Sequence, residues 1–153
     1  ELPRFGLRLF LPQEMSQVNY YGMGPMECYR DKHHAASHSS YTATVWQLHE
    51  DYIRPQENGS HFDCDYVMLA GDAVRLTAVG TQPFSFNASH YTQEELTRKA
   101  HNYELEPCGS TVLCLDYAQN GIGSESCGPR LLEQYRLDDA TFNFGLRLFP
   151  EKK

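Results

Sequence analysis

The sequence predicts an all-β fold, an antiparallel β-sandwich with one short helix near residues 92–102. Three observations predict it. Short runs of β-branched and aromatic residues alternate with polar ones along most of the chain. Clusters of Gly, Asn, Asp and Pro separate those runs. One segment alone carries a helix start signal.

The first run, FGLRLF at residues 5–10, sets Phe5, Leu7 and Leu9 on one face and Gly6, Arg8 and Phe10 on the other. Strand QVNYY follows at 17–21 and stops at Gly22-Met23-Gly24-Pro25. The polar stretch DKHHAASHSS reads as a loop, and TVWQL at 44–48 as the next strand. HFDCDYVML at 61–69 and VRLTAV at 74–79 flank an Ala70-Gly71-Asp72 turn, and FSFN at 84–87 extends the series. In YTQEELTRKAH, Thr92 is placed to cap the helix while Glu95 reaches back, and Leu96 and Ala100 share a face. TVLCLDY at 111–117, LEQYRL at 132–137, and residues 141–149 complete the strands. Asn58-Gly59 and Asn120-Gly121 carry the pairing typical of hairpin turns.

Residues 144–149 repeat FGLRLF, but the flanks of the two copies differ, so they express one strand grammar rather than a duplication. Proline follows each copy closely and is expected to end its pairing. No linker or low-complexity tract interrupts the chain, which reads as a single domain, 1–153, long enough for a core without staples.

Composition bounds the partners. A net charge of −7, with 13 Lys and Arg and no basic run, leaves nothing to neutralise a row of phosphates, so nucleic acid is not expected. No apolar run approaches the ~20 residues of a membrane helix, and ELPRFGLRLF lacks the regions of a signal peptide. Five cysteines, an odd set without a CxxC pair, read as reduced and favour the cytoplasm. Asn58-Gly59-Ser60 and Asn87-Ala88-Ser89 are sequons that would matter only in a secreted eukaryotic chain.

Candidate sites divide into chemical and plain readings. The glycines of GIGSESCGP at 121–129 suggest a phosphate cradle, but Pro129 and a strand-like run follow instead of a helix. Gly123 and Gly128 are one residue too far apart around Ser126 for a nucleophile elbow. Cys127 would need a base that no sequence feature selects, and reads as an ordinary buried or loop cysteine. His61, Asp63 and Asp65 at i, i+2, i+4 fit either a divalent cation or, preferably, the solvated face of a strand opposite Phe62, Cys64 and Tyr66. His33, His34 and His38 lack fixed ligand spacing. No metal site is read from any of these. Twelve per cent aromatic residues, ten of them Tyr, suit sugar stacking and β cores equally.

The ordered succession VNYYGMGPMECYRDK, YIRPQENG, FSFNASHYTQEELTRKAHNYEL and LDYAQNGIGSESCGP resembles the C-terminal part of large bacterial β-galactosidases of glycoside hydrolase family 2. The motif positions are Gly22, Gly24, Pro25, Glu27, Tyr29 and Asp31; Pro55, Gln56, Glu57, Asn58 and Gly59; then Asn87, Tyr91 and His101. The resemblance implies the later portion of a galactose mutarotase-like supersandwich, the last domain of a longer enzyme, with these motif residues in structural roles. It also implies hydrolysis of terminal β-galactosides such as lactose by a retaining mechanism whose two glutamates belong to a central barrel outside this chain. Mg²⁺ and often Na⁺ assist in that family, with none expected in this segment. Expected partners are the rest of the parent chain, a galactoside and further copies in a homo-oligomer.

The same resemblance makes Glu125, Ser126 and Cys127 a wall of the substrate pocket. Cys127 stands where some members present a tryptophan, and a thiol offers far less stacking area. Arg30 and Lys32 stand where Pro and Arg are frequent, and Asp65 where Arg is. The isolated segment is expected to be catalytically inactive. Two other expectations stay open: a free-standing carbohydrate-binding sandwich, and part of the small subunit of a two-chain β-galactosidase.

Overall fold

The computed structural model describes residues 2–122 and 129–153. The chain forms β1 (Arg4–Pro12), β2 (Gln17–Gly24), β3 (Ser37–Thr44), β4 (Ser60–Ala70), β5 (Val74–Ser89), α1 (Gln93–Arg98), β6 (Ser110–Gln119) and β7 (Leu146–Lys152). All pairings are antiparallel, in the order β1-β6-β5-β4-β2-β3, with β7 also on β5. This is the predicted all-β class and is consistent with a β-sandwich.

The alternation read from sequence sets the core. Val18 and Tyr20 of β2, Val67 and Leu69 of β4, Phe86 of β5 and Leu113 and Leu115 of β6 are buried together. Tyr20 and Phe86 meet edge to face at 5.0 Å between centroids, an arrangement that adds to their burial. Burying a side chain of this size contributes roughly 1.5–3 kcal/mol.

The long strand β5 is the spine, and it changes partner along its length. Val74 to Gly80 pair with β7, whereas Ser85 to Ser89 pair with β6, on the same edge. The sheet therefore forks between Gly80 and Ser85. On the other side of β5, β4 loses regular register at the same level, with shifts between His61, Cys64 and Tyr66. Such bulges bend and twist a strand.

Several expectations are corrected. Residues 45–48 form a 3-10 turn rather than a strand: the Thr44 hydroxyl accepts from the Gln47 amide and the Gln47 side chain accepts from Thr44 N–H. The true strand is the polar stretch before it, β3, which runs along β2 from Ser37 to Thr44. Residues 132–137 contain only a 3-10 turn, Glu133–Tyr135. The closing strand begins at Leu146, not 141, and Pro150 does not end it: Pro150 sits opposite Leu76 and pairing continues to Lys152. An edge strand tolerates proline, whose missing donor is no loss on the unpaired side.

The two FGLRLF copies lie in or lead into edge strands and are more exposed than a half-buried strand: Leu7 and Leu148 are each 40% exposed, and of the two copies Leu9, Phe144 and Leu146 pack on the core. Asn58-Gly59 lies in the loop before β4 and makes no hairpin, and Asn120-Gly121 leads into residues outside those described; a tight turn joins β4 to β5 at Gly71, whose N–H donates to Val74 O. Helix α1 is capped by Thr92 as expected. Glu95 does not reach back; it binds Arg98 and the Glu106 N–H instead, and Ala100 lies beyond the helix, exposed.

Candidate functional site

Two features organise the polar chemistry: a buried carboxylate clamp and an open cleft at the fork of β5. The clamp centres on Glu27, which is 5% exposed. Its Oε2 accepts the Gly59 N–H at 2.8 Å, and its Oε1 accepts Lys32 Nζ at 2.6 Å and the Tyr52 hydroxyl. Burial alone would raise this carboxyl, but Lys32, Tyr52 and the Gly59 amide outweigh it and hold the pKa below its ordinary value. One side chain thus ties the turn after β2 to the loop that leads into β4.

That loop, 55–59, is held by its own amides. Asn58 accepts from Glu50 N–H at 3.1 Å and donates to Gln56 O at 2.9 Å, while Asn87 of β5 donates to Asn58 O. Gly59 has φ +71°, and a Cβ there would lie 2.3 Å from Leu48 O, so both backbone and space demand glycine. Gly22 is a close approach of a different kind: its Cβ would meet Cys64 Sγ at 2.3 Å. Pro55 is buried and Tyr29 lies fully inside, its backbone paired with Lys32. The two sequon asparagines are therefore internal structural amides, unavailable to a modifying enzyme in the folded chain.

A second buried charge group sits beside the first. Arg4 donates to Asp116 through Nε at 3.2 Å and also through Nη2, and to Glu57 Oε2 at 3.1 Å. Burial works against the guanidinium, yet Asp116 and Glu57 raise its pKa; burial raises both carboxyls despite Arg4. The Ser60 hydroxyl receives the Gln119 amide at 2.8 Å and ties β4 to β6.

The other motif residues are placed as follows. Asp31 packs against Gly121, where a Cβ would fall 1.9 Å from the Asp31 carboxyl carbon, so Gly121 permits the close contact. The peptide between Gly24 and Pro25 is cis. Tyr91 contacts Trp46 edge to face at 5.9 Å and His49 at 5.1 Å. His101 is exposed, stacks on Tyr103 at 5.2 Å and donates its backbone N–H to Glu104 at 2.9 Å. Glu125, Ser126 and Cys127 lie outside the described residues.

The cleft, about 720 Å³, opens where β5 forks. Asp63 and Phe62 border it from β4, Gln82 to Ser85 from β5, Tyr117 from β6, and Asp139 and Thr141 to Asn143 from the segment before β7, with Arg30 at one side. Tyr117 is the extra residue of β6 at the register step where Phe5 faces Ala118 and Gly6 faces Asp116. Its ring meets Phe142 edge to face at 5.6 Å, and Phe142 stacks on Phe5 at 4.3 Å. Gln82 donates to Asn143 O at 2.7 Å and fixes that wall. Asp63 adopts φ +55°, the left-handed region rarely taken outside glycine, because β4 bulges there.

The bulge also disposes of the proposed His61, Asp63, Asp65 face. His61 is buried, Asp63 half-buried and Asp65 exposed, so the three share no face, and neither the metal nor the solvated reading describes them. His61 Nδ1 lies 3.2 Å from Met23 O and 3.1 Å from the Tyr20 hydroxyl. A carbonyl only accepts, so Nδ1 carries the proton, and burial lowers the imidazole to a pKa of about 4. His38 belongs to β3, with Nε2 at 2.9 Å from Asp63 O. Among the described residues no three His, Cys, Asp or Glu side chains converge to hold a metal ion.

Cys28, Cys64, Cys108 and Cys114 are free thiols, as the odd set suggested. Burial raises Cys28, Cys64 and Cys114, which keeps them protonated and inert. Sequence reasoning missed Arg4, Tyr52, Ser60, Asp116 and Gln119, since each acts through a partner distant in the chain. It noted Lys32 only as a departure from a motif.

Residues 1–148 match a family model described as Beta galactosidase small chain. The β-galactosidase of Actinobacillus pleuropneumoniae is 50% identical over 151 residues, 99% of this chain and 15% of that protein. That of Staphylococcus xylosus is 44% identical over 147 residues, 96% of this chain and 15% of its own length. The β-galactosidase of Kluyveromyces lactis is 32% identical over 145 residues, 94% of this chain and 14% of its own. The chain thus spans about 15% of the length of the curated relatives it matches.

Proposed function

The chain belongs to the β-galactosidase small-chain family, and from that premise we propose that it is the C-terminal segment of a β-galactosidase, supporting and partly walling an active site whose catalytic carboxylates lie elsewhere. The observation that carries this reading is the match of nearly the whole chain to about 15% of each full-length β-galactosidase, and the buried carboxylates agree with it. Glu27, Asp116 and Glu95 are buried carboxylates, and each is already engaged: by Lys32, Tyr52 and Gly59, by Arg4, and by Arg98 and the Glu106 amide. A retaining glycosidase needs one carboxylate free to attack and one free to donate a proton across the same bond. Carboxylates tied to structural cations serve neither role.

In this reading 1–153 is one domain, the later portion of a supersandwich that continues in the parent chain. Glu125, Ser126 and Cys127 border the galactoside. The Mg²⁺ and Na⁺ of the family sit outside the segment: both oxygens of the buried Glu27 are committed to Lys32, Tyr52 and the Gly59 N–H, and among the described residues no three His, Cys, Asp or Glu side chains converge. The parent is a cytoplasmic homo-oligomer acting on lactose or a related galactoside. Among the described residues no helix is long and apolar enough to cross a membrane.

The test is hydrolysis of a chromogenic β-galactoside by this chain alone and mixed with a β-galactosidase lacking the matching segment. Silence alone with rescue in the mixture is expected; turnover by the chain alone overturns the reading. The family's description as a small chain favours a second arrangement, in which the segment belongs to a separate subunit. A denaturing gel of the native enzyme distinguishes the two by showing one polypeptide or two.

A further inference from the structure

The geometry points to a saccharide-binding cleft at the fork of β5, in which Tyr117 and Phe142 cover the C–H face of a neutral pyranose and Arg30, Asp63 and Asn143 hold its hydroxyls. The inference stands apart from the β-galactosidase reading: the ligand class follows from the cleft lining alone.

The cleft is a product of the backbone and not of loose side-chain packing. β5 leaves β7 and joins β6 across it, β4 bulges on one flank, and β6 carries an extra residue, Tyr117, on the other. Bulges are concentrated beside binding sites because they re-aim side chains. At this one Asp63 is held in the left-handed region, a conformation that costs a non-glycine residue energy unless the surroundings enforce it. Among the described residues no donor meets the Asp63 carboxylate, and Arg30 reaches only Arg136 O, at 3.5 Å. Two groups of opposite charge therefore border one cavity without an ion pair between them.

The lining selects among ligand classes. A volume of about 720 Å³ lies within the ~300–1,000 Å³ usual for small-molecule sites. An apolar ligand would desolvate Arg30 and Asp63 without replacing their hydrogen bonds. An anion would meet one guanidinium against the two carboxylates Asp63 and Asp139, a net charge of 1 − 2 = −1. A metal ion would need converging ligands, and among the described residues none converge. A neutral sugar ring satisfies the whole lining at once. Its hydroxyls accept from Arg30 and donate to Asp63, and its C–H surface sits in the corner made by Tyr117 and Phe142, whose rings stand at 84° and fix one another. Gln82, bonded to Asn143 O, is a positioning residue.

The test titrates the chain alone with methyl β-D-galactopyranoside and with lactose, read by amide chemical shifts, up to about 100 mM ligand, since lone sugar sites bind weakly. Saturable shifts at Asp63, Ser85 and Asn143 are expected. Asp63→Gly keeps the positive φ while removing the carboxylate, and should weaken binding about tenfold. Asn143→Ala, at an exposed position whose Gln82 contact is to the main chain, should weaken it several-fold. No saturable shift, shifts confined to the Trp46 and Tyr91 face, or unchanged affinity in both variants overturns the proposal. Failure here with successful rescue in the mixing assay would leave the β-galactosidase reading standing, and the reverse outcome would separate them equally well.

Discussion

Replacing Glu27 by Gln keeps the shape of the side chain and removes its charge, so its effect can be worked out bond by bond. One oxygen remains. It is expected to face Gly59, whose N–H is buried and has no other acceptor, and the new NH₂ then meets Lys32 Nζ and the Tyr52 hydroxyl. Tyr52 can turn to accept. Lys32 cannot, but its side chain is 51% exposed and can return to water. The loss is therefore one charge-assisted bond, partly offset by rehydration: about 2 kcal/mol, at the lower part of the range for bonds to charged groups. Glu27→Ala also strips the buried Gly59 N–H, which adds about 1–3 kcal/mol. Urea unfolding reads both, and 2 kcal/mol corresponds to a midpoint shift of about 1 M at a typical slope. The folded pKa of Glu27 is depressed below its ordinary 4.5, so its stabilisation is present above that value and fades as pH falls through the folded pKa. The gap between wild type and Glu27→Gln should close with acid. A Gln variant within about 0.5 kcal/mol of wild type at neutral pH, or a gap that acid does not narrow, refutes the clamp.

Arg4→Ala leaves Asp116 and Glu57 without their cation and should cost about 3–5 kcal/mol by thermal or urea unfolding. Both carboxyls already have raised folded pKa values, so this variant should recover stability relative to wild type as pH falls through them; an acid-independent deficit would count against the assignment. Gly59→Ala meets an unfavourable φ and the Leu48 carbonyl together and should destabilise the fold by at least about 2 kcal/mol, read as a lower melting temperature; a neutral result would mean the loop can rearrange. In a native thiol titration Cys108→Ser should remove one fast-reacting thiol, whereas Cys28→Ser should leave the fast count unchanged.

The strands legible in the sequence were those with a buried face. β2 buries every second residue, so its alternation survives in the residue types, whereas β6 is buried on both faces and was legible as a short run rich in apolar and β-branched residues. β3 was invisible because SHSSYTAT, at the sheet edge, buries none of its residues fully, and its inner face shows only Tyr41 and Ala43, too few positions to make a period. VWQL misled for the opposite reason: a β-branched and an aromatic residue mimic a strand, although Thr44 and Gln47 spell a capping box that identifies the turn. The motif residues Glu27, Asn58, Gly59 and Asn87 were found by resemblance; that Tyr52 binds Glu27 and that Asn87 binds Asn58 becomes visible only when the chain closes. The left-handed Asp63 has no local signature at all, because the bulge that creates it is a mismatch of register between two strands.

Clamp and cleft meet on β6, where consecutive residues serve each. Asp116 faces Arg4 in the buried charge group, and Tyr117, inserted by the register step opposite Phe5 and Gly6, turns to the cleft. The same division runs through β4: Ser60 takes the Gln119 amide, and three residues on Asp63 borders the cleft. A bulged strand is free to slide unless something fixes its register. Arg4 and Gln119 do so immediately beside both bulges, each through hydrogen bonds to side chains that are almost wholly buried. The repeated FGLRLF belongs to this arrangement. One copy brings Phe5 against Phe142, the other brings Phe144 against Tyr117, so two copies of one hexapeptide brace one aromatic wall from opposite ends of the chain.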